Sequence, residues 1–227
     1  MNRAAWLTEL RTSVEAQYTL DSSTYDDGYD PITIVHRRFV DRLIETIPEG
    51  GTLLDAPCGT GPYFGLILAA GRQVVGADQS AGMLERARMK HPDVRLEHIG
   101  LQELSYDGRF DAAMCVDAME HVPPEEWPLV LTNLRRAIRQ GGHLYLTVEQ
   151  VDRSRLERAF DEATARGLPV VFGDRADVAT GGYHHYPSRE QVRRWLDDAE
   201  LTVVDESDEE LDGYGYHHLL VRALAQV

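Results

Sequence analysis

The chain has 227 residues and a formal net charge of −15, with 23 Lys and Arg against 38 Asp and Glu. Acids therefore outnumber the cations that could neutralise phosphates, and lysine occurs only once, as Lys90, so neither nucleic acid nor an anionic membrane is an expected partner. No apolar run approaches the roughly 18 residues of a membrane span, and charges interrupt the N-terminal apolar stretch, so we expect a single-domain protein of the cytoplasm.

The predicted elements start with two helical patterns in residues 1–49, separated by a polar, turn-rich stretch at 21–31. We interpret this region as a helical cap over the carboxyl edge of a sheet. In residues 50–150, strands and helices alternate with short loops, which predicts a parallel sheet with helices on both faces. The predicted strands are 52–56, 73–77, 94–99, 110–116 and 143–149, and the predicted helices are 62–70, 81–90 and 124–139.

The alternation of strands and helices ends after residue 150. Residues 151–187 contain a helical stripe and then, at 173–187, a loop rich in glycine, aromatic residues and histidine. Aromatic and histidine side chains combine apolar walls with polar tips, and the glycines allow movement. We therefore interpret this segment as a substrate-side insertion or lid within one domain that spans residues 1–227.

Residues 188–227 are predicted to close the domain with one helix and two strands. Ser188 is the predicted N-cap of the helix, with Gln191 as its capping-box partner. The two strands are predicted near 201–206 and 214–224. The stretch 197–212 contains nine acids and is interpreted as a solvated turn between strands.

A glycine-containing segment, Leu-Leu-Asp-Ala-Pro-Cys-Gly-Thr-Gly, follows the first predicted strand at 53–61. Gly59 and Gly61 let the backbone pass close to a ligand, and the next helix offers free N–H groups at its N-terminus. Such a loop suits a pyrophosphate or the carboxylate of an amino acid. The dinucleotide-binding fingerprint would place a third glycine where Phe64 stands, which counts against a nicotinamide or flavin cofactor.

Two acids accompany this loop. Asp78 ends the second predicted strand, about 20 residues past the glycines, where a carboxylate can bind the diol of a ribose. Asp55 ends the first strand, where a carboxylate can anchor the loop and face an ammonium group. A zwitterionic amino acid that carries a ribose fits this pair better than a pyrophosphate does.

The segment 53–61 resembles the glycine-loop signature of the class I S-adenosylmethionine-dependent methyltransferases. Residues 74–87, 110–122 and 134–146 are similar to the second motif, the fourth-strand motif and the following helix and strand of that family. The resemblance covers about residues 50–150. It implies a Rossmann-like α/β fold, in which a seven-stranded, mostly parallel sheet has an antiparallel final strand and helices on both faces.

The resemblance also implies S-adenosyl-L-methionine as cofactor and S-adenosyl-L-homocysteine as product. The methionine part is expected near Asp55 to Gly61, the ribose at Asp78, and the adenine beside Gln79 and Met83. Leu101 replaces an acid that often contacts the adenine amino group, so backbone groups near Leu101 and Gln102 are expected to recognise the adenine. The implied cofactor-binding residues are Tyr25, Asp55, Ala56, Pro57, Gly59, Gly61, Asp78, Gln79, Met83, Leu101, Gln102, Val116 and Asp117.

The acceptor side is predicted from histidines and tyrosines. His121 follows the fourth strand, and histidine suits a general base near neutral pH. The catalytic candidates are His121, His184 and His185, and the substrate candidates are Tyr29, His121, Tyr183, His184 and Tyr186. No metal is expected, because adjacent histidines on a strand point to opposite faces.

The sequence therefore predicts transfer of a methyl group to an oxygen or nitrogen atom of a small organic molecule, for example in specialised metabolism, by a monomer or homodimer. Three alternatives stay open. The chain could methylate the terminus of a peptide or protein, act as an NAD(P)-dependent oxidoreductase, or bind the cofactor without catalysis.

Overall fold

A computed structural model describes residues 2–27, 32–177, 182–211 and 213–224, and every structural statement below concerns this part of the chain. The strands are β1 (Thr52–Asp55), β2 (Gln73–Asp78), β3 (Arg95–His98), β4 (Phe110–Cys115), β5 (Ile138–Gln150), β6 (Asp174–Asp177), β7 (Gly182–His185), β8 (Leu201–Leu211) and β9 (Tyr214–Ala223). The helices are α1 (Arg3–Asp21), α2 (Ile34–Glu45), α3 (Phe64–Ala69), α4 (Ala81–Lys90), α5 (Trp127–Ala137), α6 (Arg153–Ala165) and α7 (Arg189–Asp198), with short 3-10 helices at Leu101–Glu103 and Met119–His121.

Seven strands form one sheet in the order β3-β2-β1-β4-β5-β9-β8. Strands β1 to β5 run parallel, and β9 runs antiparallel between β5 and β8. This confirms the predicted Rossmann-like sheet with a reversed final strand. Leu53 and Leu54 are neighbours in β1, and both are fully buried because helices cover both faces of a parallel sheet.

Different helices cover the two faces of the sheet. Helices α2, α3 and α4 pack on one face, where Phe39 of α2 meets Leu53 in a shared apolar cluster. Helices α5 and α7 pack on the other face, around the buried Trp127, and α7 begins at the predicted capping box of Ser188 and Gln191. The prediction that both N-terminal helices cap the carboxyl edge is therefore wrong for α2, because its apolar stripe is buried against the sheet.

Helix α1 lies at the carboxyl edge and packs against α4 and β7. The hydroxyl oxygens of Thr19 and Ser80 form a hydrogen bond of 2.9 Å, and a Cβ on Gly82 would lie 2.6 Å from the carbonyl oxygen of Thr19. Trp6 packs edge-on against Tyr183, with ring centroids 6.1 Å apart. These contacts hold α1 over the strand ends. Within the described ranges, no helix has the length and apolar character needed to cross a membrane.

Strand β5 begins earlier than predicted. Helix α5 ends at Ala137 rather than Arg139, and Gly141 and Gly142 lie inside β5 instead of ending the helix. A Cβ on Gly142 would lie 2.6 Å from the carbonyl oxygen of Asp111 in β4. Glycine is therefore needed where the two strands approach closely, near a register shift. The helical periodicity of the sequence contains no information about this approach.

Two segments that were predicted as a loop and a turn contain strands. Strands β6 and β7 form an antiparallel hairpin within 173–187. The acidic stretch at 197–212 is mainly β8, the edge strand, in which more exposed side chains alternate with less exposed ones. Its acids pair with basic residues of α7, as in the contact of 2.7 Å between Arg189 and Asp208. Ion pairs between β8 and α7 therefore account for part of the acidic run.

Candidate active site

A cavity lies at the carboxyl ends of β1, β2 and β4. Strands β1 and β4 are neighbours although the chain passes from β1 to β2 first, and ligands of open α/β sheets bind where the strand order reverses in this way. Residues from five segments line the cavity: 56–63, 77–83, 99–102, 116–122 and, from the cap, 11–25. The sheet thus forms the floor of the cavity, and α1 with the turn after it forms a roof.

Most residues predicted to hold the cofactor lie around this one cavity. They are Tyr25, Ala56, Pro57, Gly59, Asp78, Gln79, Met83, Leu101, Gln102, Val116 and Asp117. The exceptions are Asp55 and Gly61, which lie behind the lining. Asp55 is 1% exposed, and Gly61 packs against the ring of Phe64.

Asp78 holds the glycine loop to the end of β2. Its Oδ2 accepts the N–H of Gly59 at 2.9 Å, and its Oδ1 accepts the N–H of Ser80 at 2.7 Å. Burial raises the pKa of Asp78, while these two N–H donors act in the opposite direction. Each carboxylate oxygen can accept more than one hydrogen bond. Asp78 therefore keeps acceptor capacity towards the cavity it lines, where a ribose diol could bind.

Asp55 is the buried acid behind the loop. Its Oδ2 has no hydrogen-bond partner among the described residues. Burial, followed by the charge of Asp78, raises the pKa of Asp55 well above its usual range. A buried carboxyl oxygen without a partner is costly unless a donor meets it. That Asp55 faces the ammonium group of an amino-acid ligand stays a prediction, since this residue does not line the cavity.

Alanine substitution is expected to have different effects at the two loop glycines. Gly59 and Gly61 have φ angles of +52° and +75°, which disfavour any side chain. A Cβ on Gly61 would lie 2.6 Å from the buried ring of Phe64, so Gly61→Ala is expected to lower the free energy of unfolding by about 2–4 kcal/mol. A Cβ on Gly59 meets no described atom within 4 Å. Gly59→Ala is expected to cost about 1–2 kcal/mol of stability and to weaken ligand binding at least about tenfold.

Urea unfolding and titration with S-adenosylhomocysteine measure these two effects separately. Gly61→Ala is expected to lose more stability than Gly59→Ala. Relative to its loss of stability, Gly59→Ala is expected to lose more affinity for S-adenosylhomocysteine. Equal losses of stability with unchanged affinity in Gly59→Ala would contradict the assignment of Gly59 to the ligand side of the loop.

The wall formed by Met83, Ile99 and Leu101 is apolar and suits a flat ring. The carbonyl oxygens of Leu101 and Gln102 accept hydrogen bonds from Nδ2 of Asn133, at 3.1 and 2.9 Å. Each of these carbonyl oxygens already accepts one hydrogen bond and can accept a second. That backbone groups near these two residues recognise the adenine therefore stays a prediction.

The cap contributes lining residues that the sequence analysis missed. Arg11, Val14 and Tyr18 of α1 face the cavity, and their spacing of three and four residues is that of one helix face. This spacing could have identified them if the cavity had been known to lie beneath α1. After the helix, Asp26 accepts hydrogen bonds from Thr60 at 2.7 Å and from Lys90 at 2.9 Å, which ties the roof to the glycine loop.

His121 lines the cavity with both ring nitrogens engaged. Its Nε2 lies 2.9 Å from the hydroxyl of Tyr18, and its Nδ1 lies 3.1 Å from the carbonyl oxygen of Tyr183. A carbonyl oxygen only accepts, so Nδ1 carries the proton and Nε2 accepts from Tyr18. Burial lowers the pKa of His121, although the Tyr183 carbonyl acts in the opposite direction. The neutral ring is therefore favoured.

His184 and Tyr186 lie next to His121 but do not line the cavity. The ring centroids of His184 and His121 are 4.7 Å apart, and the Tyr186 hydroxyl lies 2.9 Å from Nδ1 of His184. Burial lowers the pKa of His184 to about 4, and the charges of His121 and Arg175 act in the same direction. Tyr29, another predicted substrate contact, lies outside the described residues.

His185 and Tyr183 point into the β6–β7 hairpin rather than towards the cavity. The Tyr183 hydroxyl donates to Oδ1 of Asp174 at 2.7 Å, and Nδ1 of His185 lies 2.9 Å from the same oxygen. Both side chains are buried, because residues two apart on a strand share a face and His184 between them takes the other. We therefore assign His185 and Tyr183 a structural role in place of the predicted catalytic and substrate roles.

Three carboxyl groups come together where β4 and β5 end. Asp117 is fixed by Thr147, whose Oγ1 accepts its N–H at 2.7 Å and donates to its Oδ1 at 3.0 Å. Burial raises the pKa of Glu120 well above its usual range, and the charges of Asp117 and Glu149 add to this. Burial and then Asp117 raise the pKa of Glu149 to about 7. The sequence analysis missed both glutamates, because only the folded sheet brings these strand ends together.

The adjacent histidines His217 and His218 have local partners. His217 Nδ1 lies 2.7 Å from Asp208, and His218 Nδ1 lies 2.9 Å from the hydroxyl of Tyr145. Among the residues with described positions, no group of three or more His, Cys, Asp or Glu side chains could hold a metal ion.

The sheet order and the position of the cavity define a Rossmann-like protein of the methyltransferase type. Residues 34–206 match the family model of the methyltransferase domain, and the chain belongs to this family. Over 168 residues it is 28% identical to a ubiquinone biosynthesis O-methyltransferase of Xanthomonas oryzae pv. oryzae (strain PXO99A), over 70% of this chain and 65% of that protein. It is 30% identical over 172 residues to a malonyl-[acyl-carrier protein] O-methyltransferase of Pectobacterium atrosepticum, over 72% of this chain and 66% of that protein.

The chain thus matches about two thirds of the length of these curated relatives. Among solved structures, it is similar to a 1,6-didemethyltoxoflavin-N1-methyltransferase of Burkholderia thailandensis with bound 1,6-didemethyltoxoflavin and S-adenosylhomocysteine. The TM-score is 0.72 at 18% identity, and the match covers 99% of this chain and 91% of that one. At this identity the similarity establishes the shared fold.

Proposed function

We propose that this chain uses S-adenosyl-L-methionine to methylate an oxygen or nitrogen atom of a small organic molecule and releases S-adenosyl-L-homocysteine. The main support for the proposal is the cavity at the point where the strand order reverses and where Gly59 and Asp78 are hydrogen-bonded. The chain belongs to the methyltransferase family. The names of the relatives include both O-methylation and N-methylation. The excess of acids over cations supports a small acceptor over a nucleic acid.

The residues around the cavity suit the three parts of this cofactor. The orphaned carboxyl oxygen of Asp55 suits the ammonium group, Asp78 suits the ribose hydroxyls, and the wall of Met83 and Ile99 suits the adenine. When bound, S-adenosylmethionine supplies a methyl group activated by a sulfonium sulfur. The protein contributes mainly by aligning the acceptor and by excluding water beneath α1.

An acceptor that carries a proton needs a group to receive it. His121 is a poor candidate because Tyr18 and Tyr183 engage both of its ring nitrogens. His184 is a weak base, because its pKa is lowered to about 4. A base works best when its pKa lies near the operating pH, and the pKa of Glu149 is raised to about 7. Glu149 does not line the cavity, but its charge interacts with that of Asp117, which does. We therefore propose Glu149 as the final proton acceptor behind Asp117, in place of the histidines predicted from the sequence.

Ligand titration and a transfer assay test the proposed function. Calorimetry should detect binding of S-adenosylhomocysteine and no comparable binding of NAD. Methyl-labelled S-adenosylmethionine should then label at least one member of a panel of phenols, carboxylic acids and nitrogen heterocycles. Binding of NAD alone would contradict the proposal. Labelling only of peptides with free termini would favour methylation of a peptide or protein terminus. Cofactor binding without any transfer would favour a protein that binds the cofactor without catalysis.

Glu149→Gln is expected to reduce turnover by about 10²–10⁴-fold, the usual contribution of a general base. A base must be deprotonated, and the pKa of Glu149 is about 7, so wild-type kcat/KM should fall as the pH drops below about 7. This acid limb should disappear in Glu149→Gln. Glu157→Gln, which changes an exposed glutamate of α6, serves as the control. An unchanged pH profile in Glu149→Gln would remove the proposed role.

A further inference from the structure

The carboxylate of Asp117 is held in one orientation at the cavity. Its backbone has a φ angle of +49°, a left-handed conformation in which Asp and Asn are enriched, and Thr147 fixes both its N–H and its Oδ1. Oδ1 also lies 3.5 Å from Nε2 of His36. Asp117 lines the cavity, and its Oδ2 accepts no hydrogen bond from the described residues. Oδ2 is therefore the oxygen left for a ligand.

Two buried carboxyl groups lie behind Asp117. Glu120 and Glu149 are 8% and 7% exposed, and Oε2 of Glu120 has no hydrogen-bond partner among the described residues. Burial raises the pKa of both groups, and the charge of Asp117 raises each of them further. Carboxyl groups that raise one another's pKa in this way lack a cation that would balance them.

Positive charge from the protein offsets only part of this excess. Arg11 is the only Lys or Arg among the described residues that line the cavity, and its Nη1 lies 3.4 Å from Oε1 of Glu103. Arg175 and Arg155 act to lower the pKa of Glu149, but burial outweighs them. No cluster of described side chains could hold a metal ion. An organic ligand is therefore the best source of the missing cation.

Two tyrosine rings lie beside these acids. Tyr18 and Tyr25 both line the cavity, with ring centroids 6.1 Å apart and planes inclined at 59°. Burial, followed by the charges of Asp117 and Glu120, raises the pKa of Tyr25 to about 12, so this ring lies within the field of the two acids. Aromatic faces and carboxylates both attract ammonium groups. An anionic acceptor would be repelled here.

We infer that the methyl acceptor is an amine that binds as an ammonium ion, with an N–H on Oδ2 of Asp117 and its charge beside Tyr18 and Tyr25. The inference rests on the proposed function and narrows its acceptor to a basic nitrogen. The ammonium group gives one proton to Asp117, which passes it to Glu149. The nitrogen lone pair then forms the N–C bond while the C–S bond breaks, and the electron pair of that bond stays on sulfur. The methylated amine keeps the positive charge that the methyl group brings.

The test measures transfer from methyl-labelled S-adenosylmethionine to alkylamines, arylalkylamines and cyclic secondary amines, each compared with the alcohol or ether of the same carbon skeleton. Phenols and carboxylic acids complete the panel. Wild-type protein is expected to label at least one amine. In the presence of S-adenosylhomocysteine, calorimetry should show that this amine binds at least about tenfold more tightly than its neutral counterpart, the usual effect of a hydrogen bond to a charged group.

Asp117→Asn removes the charge, whereas asparagine tolerates the left-handed backbone and can still accept from Thr147. The ratio of amine to neutral affinity should fall close to one in this variant. Asp107→Asn, which changes an exposed acid outside the cavity, is the matched control and should keep the wild-type ratio.

Three results would decide against the inference or against its basis. Labelling of phenols or carboxylic acids without amines would overturn the inference and leave the proposed function intact. An unchanged ratio in folded Asp117→Asn, with weaker binding of S-adenosylmethionine relative to S-adenosylhomocysteine, would overturn it by assigning Asp117 to the sulfonium group. Failure of wild-type protein to bind S-adenosylhomocysteine would instead contradict the proposed function.

Discussion

Asp78→Asn is expected to weaken binding of S-adenosylhomocysteine by at least about 100-fold, or ~2.8 kcal/mol. The carboxylate of Asp78 accepts from the backbone N–H groups of Gly59 and Ser80, one at each oxygen. An asparagine can accept with one end only, and its NH2 group would oppose the second N–H donor. The substitution therefore loosens the glycine loop and also removes an acceptor for the ribose, and buried donors without partners are costly.

Calorimetric titration of the two variants Asp78→Asn and Asp93→Asn measures this effect. Asp93 is an exposed acid that does not line the cavity, so Asp93→Asn should bind as the wild type does. A thermal unfolding curve for each variant shows whether the loop alone is perturbed. Binding by a folded Asp78→Asn protein within about threefold of the wild type would mean that Asp78 only anchors the loop.

Most of the predicted cofactor-binding residues lie around one cavity, because their positions depend on local sequence. Gly59 and Asp78 each follow a buried apolar run, and parallel strands bring such positions to one edge of the sheet. The environments of two residues behind the cavity lining could not be predicted in this way. Asp55 and Gly61 belong to the same motif, but only the packed structure shows that Asp55 is buried and that Gly61 abuts Phe64.

The acceptor side was less predictable, because its groups come from segments that are distant in the sequence. Tyr18 reaches His121 from α1 across 103 residues. Glu149 acquires its raised pKa from burial and from Asp117, which follows another strand. The distinction between His184 and His185 depends on the face that each takes in the β6–β7 hairpin, whereas the sequence predicts a loop there. A shift of the strand by one residue would exchange the environments of His184 and His185.

Asp174 connects the hairpin to the cap. It is fully buried, and its Oδ2 accepts from Arg3 of α1 at 2.7 Å and from the N–H of Val171 at 2.9 Å. Its Oδ1 lies 2.7 Å from the Tyr183 hydroxyl and 2.9 Å from Nδ1 of His185. Burial alone would raise the pKa of Asp174, but these hydrogen bonds outweigh it and lower the pKa below its usual value.

Asp174→Ala is accordingly expected to lower the free energy of unfolding by about 3–5 kcal/mol near neutral pH, because it leaves buried polar partners without an acceptor. A carboxyl whose pKa is lowered by folding contributes stability above its unfolded pKa of about 3.9 and loses it as the pH falls through the folded value. The difference from the wild type should therefore shrink as the pH falls below about 4. Urea unfolding at several pH values measures it, with the exposed Asp161→Ala as a control expected within about 0.5 kcal/mol. A difference under about 1 kcal/mol, or one that stays constant down to acid pH, would show that the carboxylate does not hold the hairpin to the cap.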